Sequence, residues 1–496
     1  MDTPSSASWL PMQGRLTAAM RQRQNRAAMA GGSNKKRRAR SRRAGERRPG
    51  ARRSSPAGRP DRLTPVGAAG SALDIPPVNV LAQSILAGGR EIVAERDALQ
   101  VEAWASMMIG TFYKPPVPFE VSERLTAELW PALVRGAERQ ADRAALAVLL
   151  ALAAVADDEL RHLAQAAAES LRAAGVPDPP WAAIIGHPEF LGCWTAVDPF
   201  DDQCGYYLHF RYRGHGQHVV MALRDENLGG IIKDASFGEL RTGSDPRKHA
   251  ESQPDVVVSD ADPGVVAQQI AQALATGDMF IDNAWTHDFR DARGLLAARL
   301  RCLPAPAKSA EPAEREPEPE PLGEDERVAL ADEFLDSPQA PACHQAAAIT
   351  MHCIDSRCDY GDGDPLRWSP AVVELFLLDF VPRKVVLEPD EIEAVPDVLR
   401  AWVRFALGKR GLAEHLIAET EEAVREFTPD YREAVADPAN FGPAKAMLGA
   451  LHAAGVDIED KSAVDAWIAE WNARPQHERD ETLGFTLPPG GPGPGA

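Results

Sequence analysis

The chain has 496 residues, 44% of them hydrophobic, and a net charge of −19, which allows two or three domains with real cores and excludes a chain disordered throughout. That charge is split: residues 1–64 hold 17 Lys/Arg against 3 Asp/Glu, a balance of +14, so the remainder carries −33. The longest apolar run, Ala144 to Ala156, is too short for a spanning helix. Six cysteines without a secretory signal exclude a disulfide scaffold. These features predict a cytoplasmic protein with no membrane partner.

Residues 1–65 form a basic arm. Lys35, Lys36, Arg37, Arg38, Arg40, Arg42 and Arg43 lie in a stretch, Gly31 to Pro60, that lacks Val, Ile, Leu, Phe, Trp and Tyr. With nothing to bury it is expected to be disordered. Dense positive charge attracts nucleic acid or another polyanion by counterion release, and without aromatics for stacking the binding is expected to be non-specific in sequence. The alternatives are a solubilising tail, or translation that starts at Met20 or Met29. Arginine outnumbers lysine 44 to 10 along the whole chain, so arginine in the arm partly reflects general usage.

Residues 66–180 predict a helical domain: apolar spacing over 78–109 and stretches at Val121–Gln140 and Arg143–Ala174, stopped by Gly175 and Pro177. Residues 181–303 predict a small α+β domain. Its strands are expected at Trp194–Val197, Tyr206–Tyr212, His218–Arg224 and Ile231–Phe237, an antiparallel meander, with Asp255–Ser259 as an edge strand. Asp262-Pro263 should cap a helix over Gly264–Ala275, with another over Asp291–Leu303.

Residues 304–327 read as an acidic, Pro-rich linker, able to pair with the basic arm and mask it. Residues 328–485 predict a helical bundle, with helices after Ser369-Pro370, over Pro396–Leu407 and Leu412–Glu426, and a hairpin of Pro443–Ala454 and Lys461–Ala473. Residues 486–496 read as a disordered tail. The expected fold class is α+β and helix-dominated.

Chemistry is sparse. Glycine-rich phosphate loops, dinucleotide fingerprints and nucleophile elbows are absent from the sequence, so no cofactor is expected. Cys343, His344, His352, Cys353 and Cys358 offer zinc-type ligands at unsuitable spacing, and buried thiols with surface histidines are the simpler reading, so no metal is expected. His209, His215 and His218 surround a hairpin tip, and a lone Glu159-x-x-His162 lacks the second copy of a di-iron site. The hairpin at 443–473 carries too many acids to read DNA, which leaves Trp467 and Trp471 as core or partner contacts.

The strand-end loop holds Asp225, Asn227, Lys233 and Asp234, groups able to bind a ligand. As a plain hairpin it would place Asn227 and its glycines at positive φ, with its charges facing water.

The arm segment Asn34-Lys35-Lys36-Arg37-Arg38, the pattern from Asp225 through Asn227-Leu228-Gly229 to Lys233-Asp234-Ala235, the segment Pro365-Leu366-Arg367-Trp368-Ser369-Pro370, and Leu378-Asp379 with Pro382-Arg383-Lys384-Val385 resemble a group of actinobacterial proteins with a basic N-terminal arm and no assigned activity. The resemblance spans most of 33–475 and implies a bacterial, cytoplasmic protein. The expected function is a non-enzymatic binding or adaptor protein, with the arm on polyanions and the helical domains on protein partners. The alternative is an enzyme with its site at Asp225–Asp234, together with His209 and His218.

Overall fold

The computed structural model describes residues 75–114, 117, 119–214, 216–240, 245–280, 285–304, 322–458 and 460–475. The basic arm, His215, most of the acidic linker and the C-terminal tail lie outside them. The described residues fall into two compact units, one of residues 75–376 with 389–425, the other of 377–388 with 426–475. The fold is helix-dominated α+β.

The larger unit opens with five helices, α1 (Val78–Val93), α2 (Ala98–Thr111), α3 (Phe119–Gln140), α4 (Arg143–Val155) and α5 (Asp158–Ala173). The stretch expected as one helix over Arg143–Ala174 is two, because Asp157 caps α5 by accepting from the Leu160 N–H at 3.0 Å, and an N-cap starts a new helix. Leu146, Val148, Leu149 and Leu152 of α4 are fully buried, as its unbroken apolar run predicts.

Five antiparallel strands follow, β1 (Glu189–Val197), β2 (Gln203–Arg211), β3 (Gln217–Asp225), β4 (Ile231–Glu239) and β5 (Val257–Asp260), in the order β4-β3-β2-β1-β5. The meander and the edge strand are those expected. Six consecutive residues of β3, His218–Leu223, are buried, so both faces of this strand are covered, as befits its near-continuous apolar run. Helices α6 (Pro246–Glu251), α7 (Pro263–Met279) and α8 (His287–Leu300) complete the region. Asp262 accepts from the Gly264 and Val265 N–H groups to start α7, and Thr286 caps α8.

Helix α8 ties the helices to the sheet. Gly110 of α2 lies so close to it that a Cβ would collide with the Arg290 carbonyl, and Ser106 donates to the Asp291 carbonyl at 2.5 Å while accepting from the Leu295 N–H at 2.9 Å. One hydrophobic core runs from Leu86 and Leu133 through Leu152 to Phe210, Val220 and Leu295.

The larger unit continues with α9 (Glu324–Leu335), α10 (Ala346–Tyr360), α11 (Pro370–Leu375) and α13 (Pro389–Lys409). Glu324–Arg327, expected in the linker, form the first turn of α9. Three acids there favour the positive helix end, and Glu326 accepts from the Gly323 N–H at 2.9 Å. After α11 the chain makes a π turn, Phe376–Phe380, then α12 (Val381–Lys384). Pro382 has no N–H to donate, and a wider turn before it accommodates the loss.

In the smaller unit, α12 meets α15 (Pro443–Ala453), where the Gly442 N–H donates to the Arg383 carbonyl at 3.0 Å. Helix α14 (Glu414–Ala436) contributes its C-terminal part, and α16 (Lys461–Ala473) follows. Trp467 and Trp471 of α16 stack with ring centroids 4.9 Å apart; of the two expected roles, core or partner contact, Trp471 takes the first and is buried, while Trp467 is half-buried.

Candidate functional site

Two buried polar clusters lie at opposite ends of the β2-β3 hairpin. The first forms around the strand-end loop. Gln203 and Asp225 are register partners on β2 and β3, and Lys233 projects from β4 to make a buried ion pair with Asp225. The Gln203 Nε2 donates to the same carboxylate at 3.1 Å, and its other oxygen accepts from the Asn227 N–H at 3.0 Å. This fixes a 3₁₀ turn over Glu226–Leu228, followed by Gly229 at φ 76° and Gly230 at φ 70°.

Two expectations for the plain hairpin are corrected here. Asn227 is not at positive φ, because the Asp225 carboxylate holds it in the 3₁₀ turn. The charges do not face water: Asp225 is fully buried and Lys233 is 8% exposed. Asp234 lies apart from this pair and accepts from the Thr286 hydroxyl at 2.5 Å, next to the start of α8.

The segment 357–369 closes over the loop. Arg367 donates to Asn227 Oδ1 at 2.9 Å and forms ion pairs with Asp202 and Asp362. Asp362 also pairs with Arg357, and Ser369 donates to Asp202 Oδ2 at 2.6 Å. Arg224 and Glu226 pair at 2.9 Å. Burial pushes the Asp202 carboxyl up, opposed by Arg367 and Ser369. Asp198, buried and then repelled by Asp202, is pushed up to about 6. Charges this deeply set persist only when paired and hydrogen-bonded, and here each cation has carboxylate partners.

The second cluster joins α2, α8 and the far end of the hairpin. Glu102, Arg299, Tyr212 and His218 are each at most 1% exposed. Glu102 Oε2 accepts from Arg299 Nη2 at 2.6 Å and from the Tyr212 hydroxyl, and Oε1 accepts from the Gly186 N–H at 2.7 Å. The Arg299 Nε donates to His218 Nε2 at 3.2 Å. That bond requires a neutral imidazole protonated on Nδ1. Burial, then the Arg299 charge, then His209 depress the His218 pKa to about 3. His209 itself lies outside the cluster, 3.1 Å from Gln217 Oε1.

No family model, curated protein or solved structure matches the chain.

Tyr212 and His218 line a cavity of about 200 Å³ together with Glu95, Arg96, Asp97 and Glu239. This is smaller than the roughly 300–1,000 Å³ usual for small-molecule sites. The His218 Nε2 lone pair is held by a guanidinium and the Tyr212 hydroxyl by a carboxylate, so acid or base chemistry there first has to break a buried bond.

The other sequence candidates stay apart. Glu159 and His162 are exposed on α5. His344 pairs with Asp390 at 3.3 Å, whereas Cys353 is fully buried on α10 with its thiol pushed well up by burial. Among the described residues no three His, Cys, Asp or Glu side chains are placed to hold a metal ion, and no helix is long and apolar enough to cross a membrane. Sequence reading missed Asp202, Arg367, Glu102 and Arg299. The available signal was the Pro365–Pro370 segment, whose Arg367 and Ser369 turn out to meet the loop at Asp202 and Asn227.

Proposed function

We propose that the chain is a binding protein in which the basic arm holds polyanions and the acidic folded part engages protein partners. The observation that carries this reading is the charge split, +14 in residues 1–64 against −33 in the remainder. Phosphate chains release counterions to clustered arginines and lysines, and the same chains are repelled by an acidic surface. The internal pairing of the strand-end loop supports a scaffolding role for Asp225, Asn227 and Lys233, because groups already paired in the folded state gain little from a ligand.

The test compares the full chain with a variant in which Lys35, Lys36, Arg37, Arg38, Arg40, Arg42 and Arg43 are all changed to Gln. The full chain should bind duplex DNA and RNA of unrelated sequences alike. The logarithm of its affinity should fall with that of salt concentration, with a slope of about −0.9 per phosphate neutralised on duplex DNA. The variant should bind markedly more weakly and with a shallower slope. Equal binding by the two proteins, or none by either, would refute the proposal.

A further inference from the structure

A second cavity, of about 730 Å³, opens between α4, α5 and the C-terminal end of α8. Its volume falls within the range of small-molecule sites. The floor is apolar, with Leu150, Ala153, Ala168 and Ile185, and Arg161, Arg172 and Arg301 stand around it. Glu169, Gln165 and His187 complete the polar rim.

The three arginines differ in their partners. Arg161 pairs with Asp158 at 2.6 Å and Arg172 with Asp178 at 2.8 Å, and these carboxylates are 78% and 49% exposed. Exposed pairs of this kind are worth only about 0–1 kcal/mol and are readily exchanged for another anion. Arg301 has no carboxylate partner among the described residues. Its Nη2 donates to the Ala154 carbonyl at 3.1 Å, at the end of α4, which fixes the guanidinium beside the floor. Arg301 and Arg161 also repel one another, and that repulsion adds to burial in lowering the Arg301 pKa.

We propose that this cleft binds a small amphipathic oxyanion, its carboxylate or phosphate head held by Arg301 with Arg161 and its short apolar body on Leu150, Ala153 and Ile185. A guanidinium offers a planar fork of donors that matches either head group. An apolar floor supplies affinity that an inorganic ion could not use.

The test is calorimetric titration of the full chain with sodium octanoate, octyl phosphate and inorganic phosphate, repeated on Arg301→Gln and Gln165→Trp. Both positions are exposed, so both variants should fold. The basic arm is common to all three proteins, and differences among them report on the cleft alone. Binding of at least one amphiphile is expected, with the ratio of the two showing which head group is favoured. Removing the Arg301 charge should weaken it about tenfold or more, the range of a lost charge-assisted hydrogen bond. Gln165→Trp should weaken it by crowding the cleft. The proposal fails if neither amphiphile binds, if Arg301→Gln binds as tightly as the parent, or if inorganic phosphate binds as tightly as octyl phosphate.

Discussion

The two buried clusters use the same kinds of side chain and differ in how their charges are shared. In the cluster of Glu102, Arg299, Tyr212 and His218, one carboxylate faces one guanidinium, and the tyrosine and the neutral imidazole add a bond each, while Arg299 Nη1 is buried without a hydrogen-bond partner. At the strand-end junction, Arg367 serves Asp202 and Asp362 at once, and Asp362 serves both Arg357 and Arg367. A single pair can be replaced by apolar residues of similar volume at little net cost, whereas removing either inner member of the shared chain, Arg367 or Asp362, leaves an end charge, Asp202 or Arg357, unmatched. The junction therefore specifies how the segment 357–369 meets the sheet, and the Glu102 cluster specifies how α2 and α8 meet it.

The largest effect that separates them is expected at Arg367. Arg367→Met leaves Asp202 buried without its cation and Asp362 with Arg357 alone, and should destabilise the protein by about 3–5 kcal/mol, read as a shift of the urea midpoint. Adding Asp202→Asn should recover only part of this, because Asp362 is still left with Arg357 as its single cation. In the other cluster, the double change Glu102→Gln with Arg299→Met should cost less than either single change. If the Arg367→Met loss is fully rescued by Asp202→Asn, the charges are not shared and the contrast collapses.

Acid should act on the two regions with opposite sign. His218 takes up its proton near 6.5 when unfolded and near 3 when folded. Between those values the unfolded chain binds the extra proton, so this group's contribution to stability is lost as pH falls from 6.5 towards 3, by up to about 1.4 kcal/mol per pH unit. Asp198 is pushed up from 3.8 to about 6, and its contribution grows as pH falls through that window, because the folded state then binds the proton. Urea unfolding from pH 7 to pH 4 should show His218→Gln flattening the acid loss and Asp198→Asn steepening it. Matching pH slopes for the two variants would contradict the assignment.

The sequence reveals what is local. Asp262-Pro263 announces α7, Asp460 caps α16 by accepting from the Ser462 and Ala463 N–H groups, and alternating apolar residues with turn signals place the sheet and its edge strand. The clusters are invisible because their members are distant: 165 residues separate Arg367 from Asp202, and 197 separate Arg299 from Glu102. The strand-end loop was found as a concentration of polar groups. Its internal character was not, since an aspartate facing water and one facing a buried lysine have the same neighbours in sequence. Asn227 misled for the same reason: its turn geometry is imposed by the Asp225 carboxylate rather than by its own preference.

A smaller effect should come from Ser369, which accepts from the Val372 N–H at 3.1 Å to start α11 and donates to Asp202. Ser369→Ala removes a cap, typically worth about 1 kcal/mol, and one donor to a buried carboxylate. A total of about 2 kcal/mol is expected, with the Asp202 pKa driven further up, so that the loss should shrink as pH is lowered. A pH-independent loss would mean that only the cap matters.

The smallest effect is expected where geometry is good but burial is absent. Arg211 reaches Glu189 with Nη2 at 2.7 Å and Nε at 3.1 Å, a fork-like pair across β1 and β2, yet the two side chains are 43% and 58% exposed. Water competes for both partners, and salt screens them. Arg211→Gln should cost no more than about 1 kcal/mol at low ionic strength and less at high salt. A loss approaching that of Arg367→Met would mean that bond geometry, rather than enclosure of the charges, sets the strength of the junction.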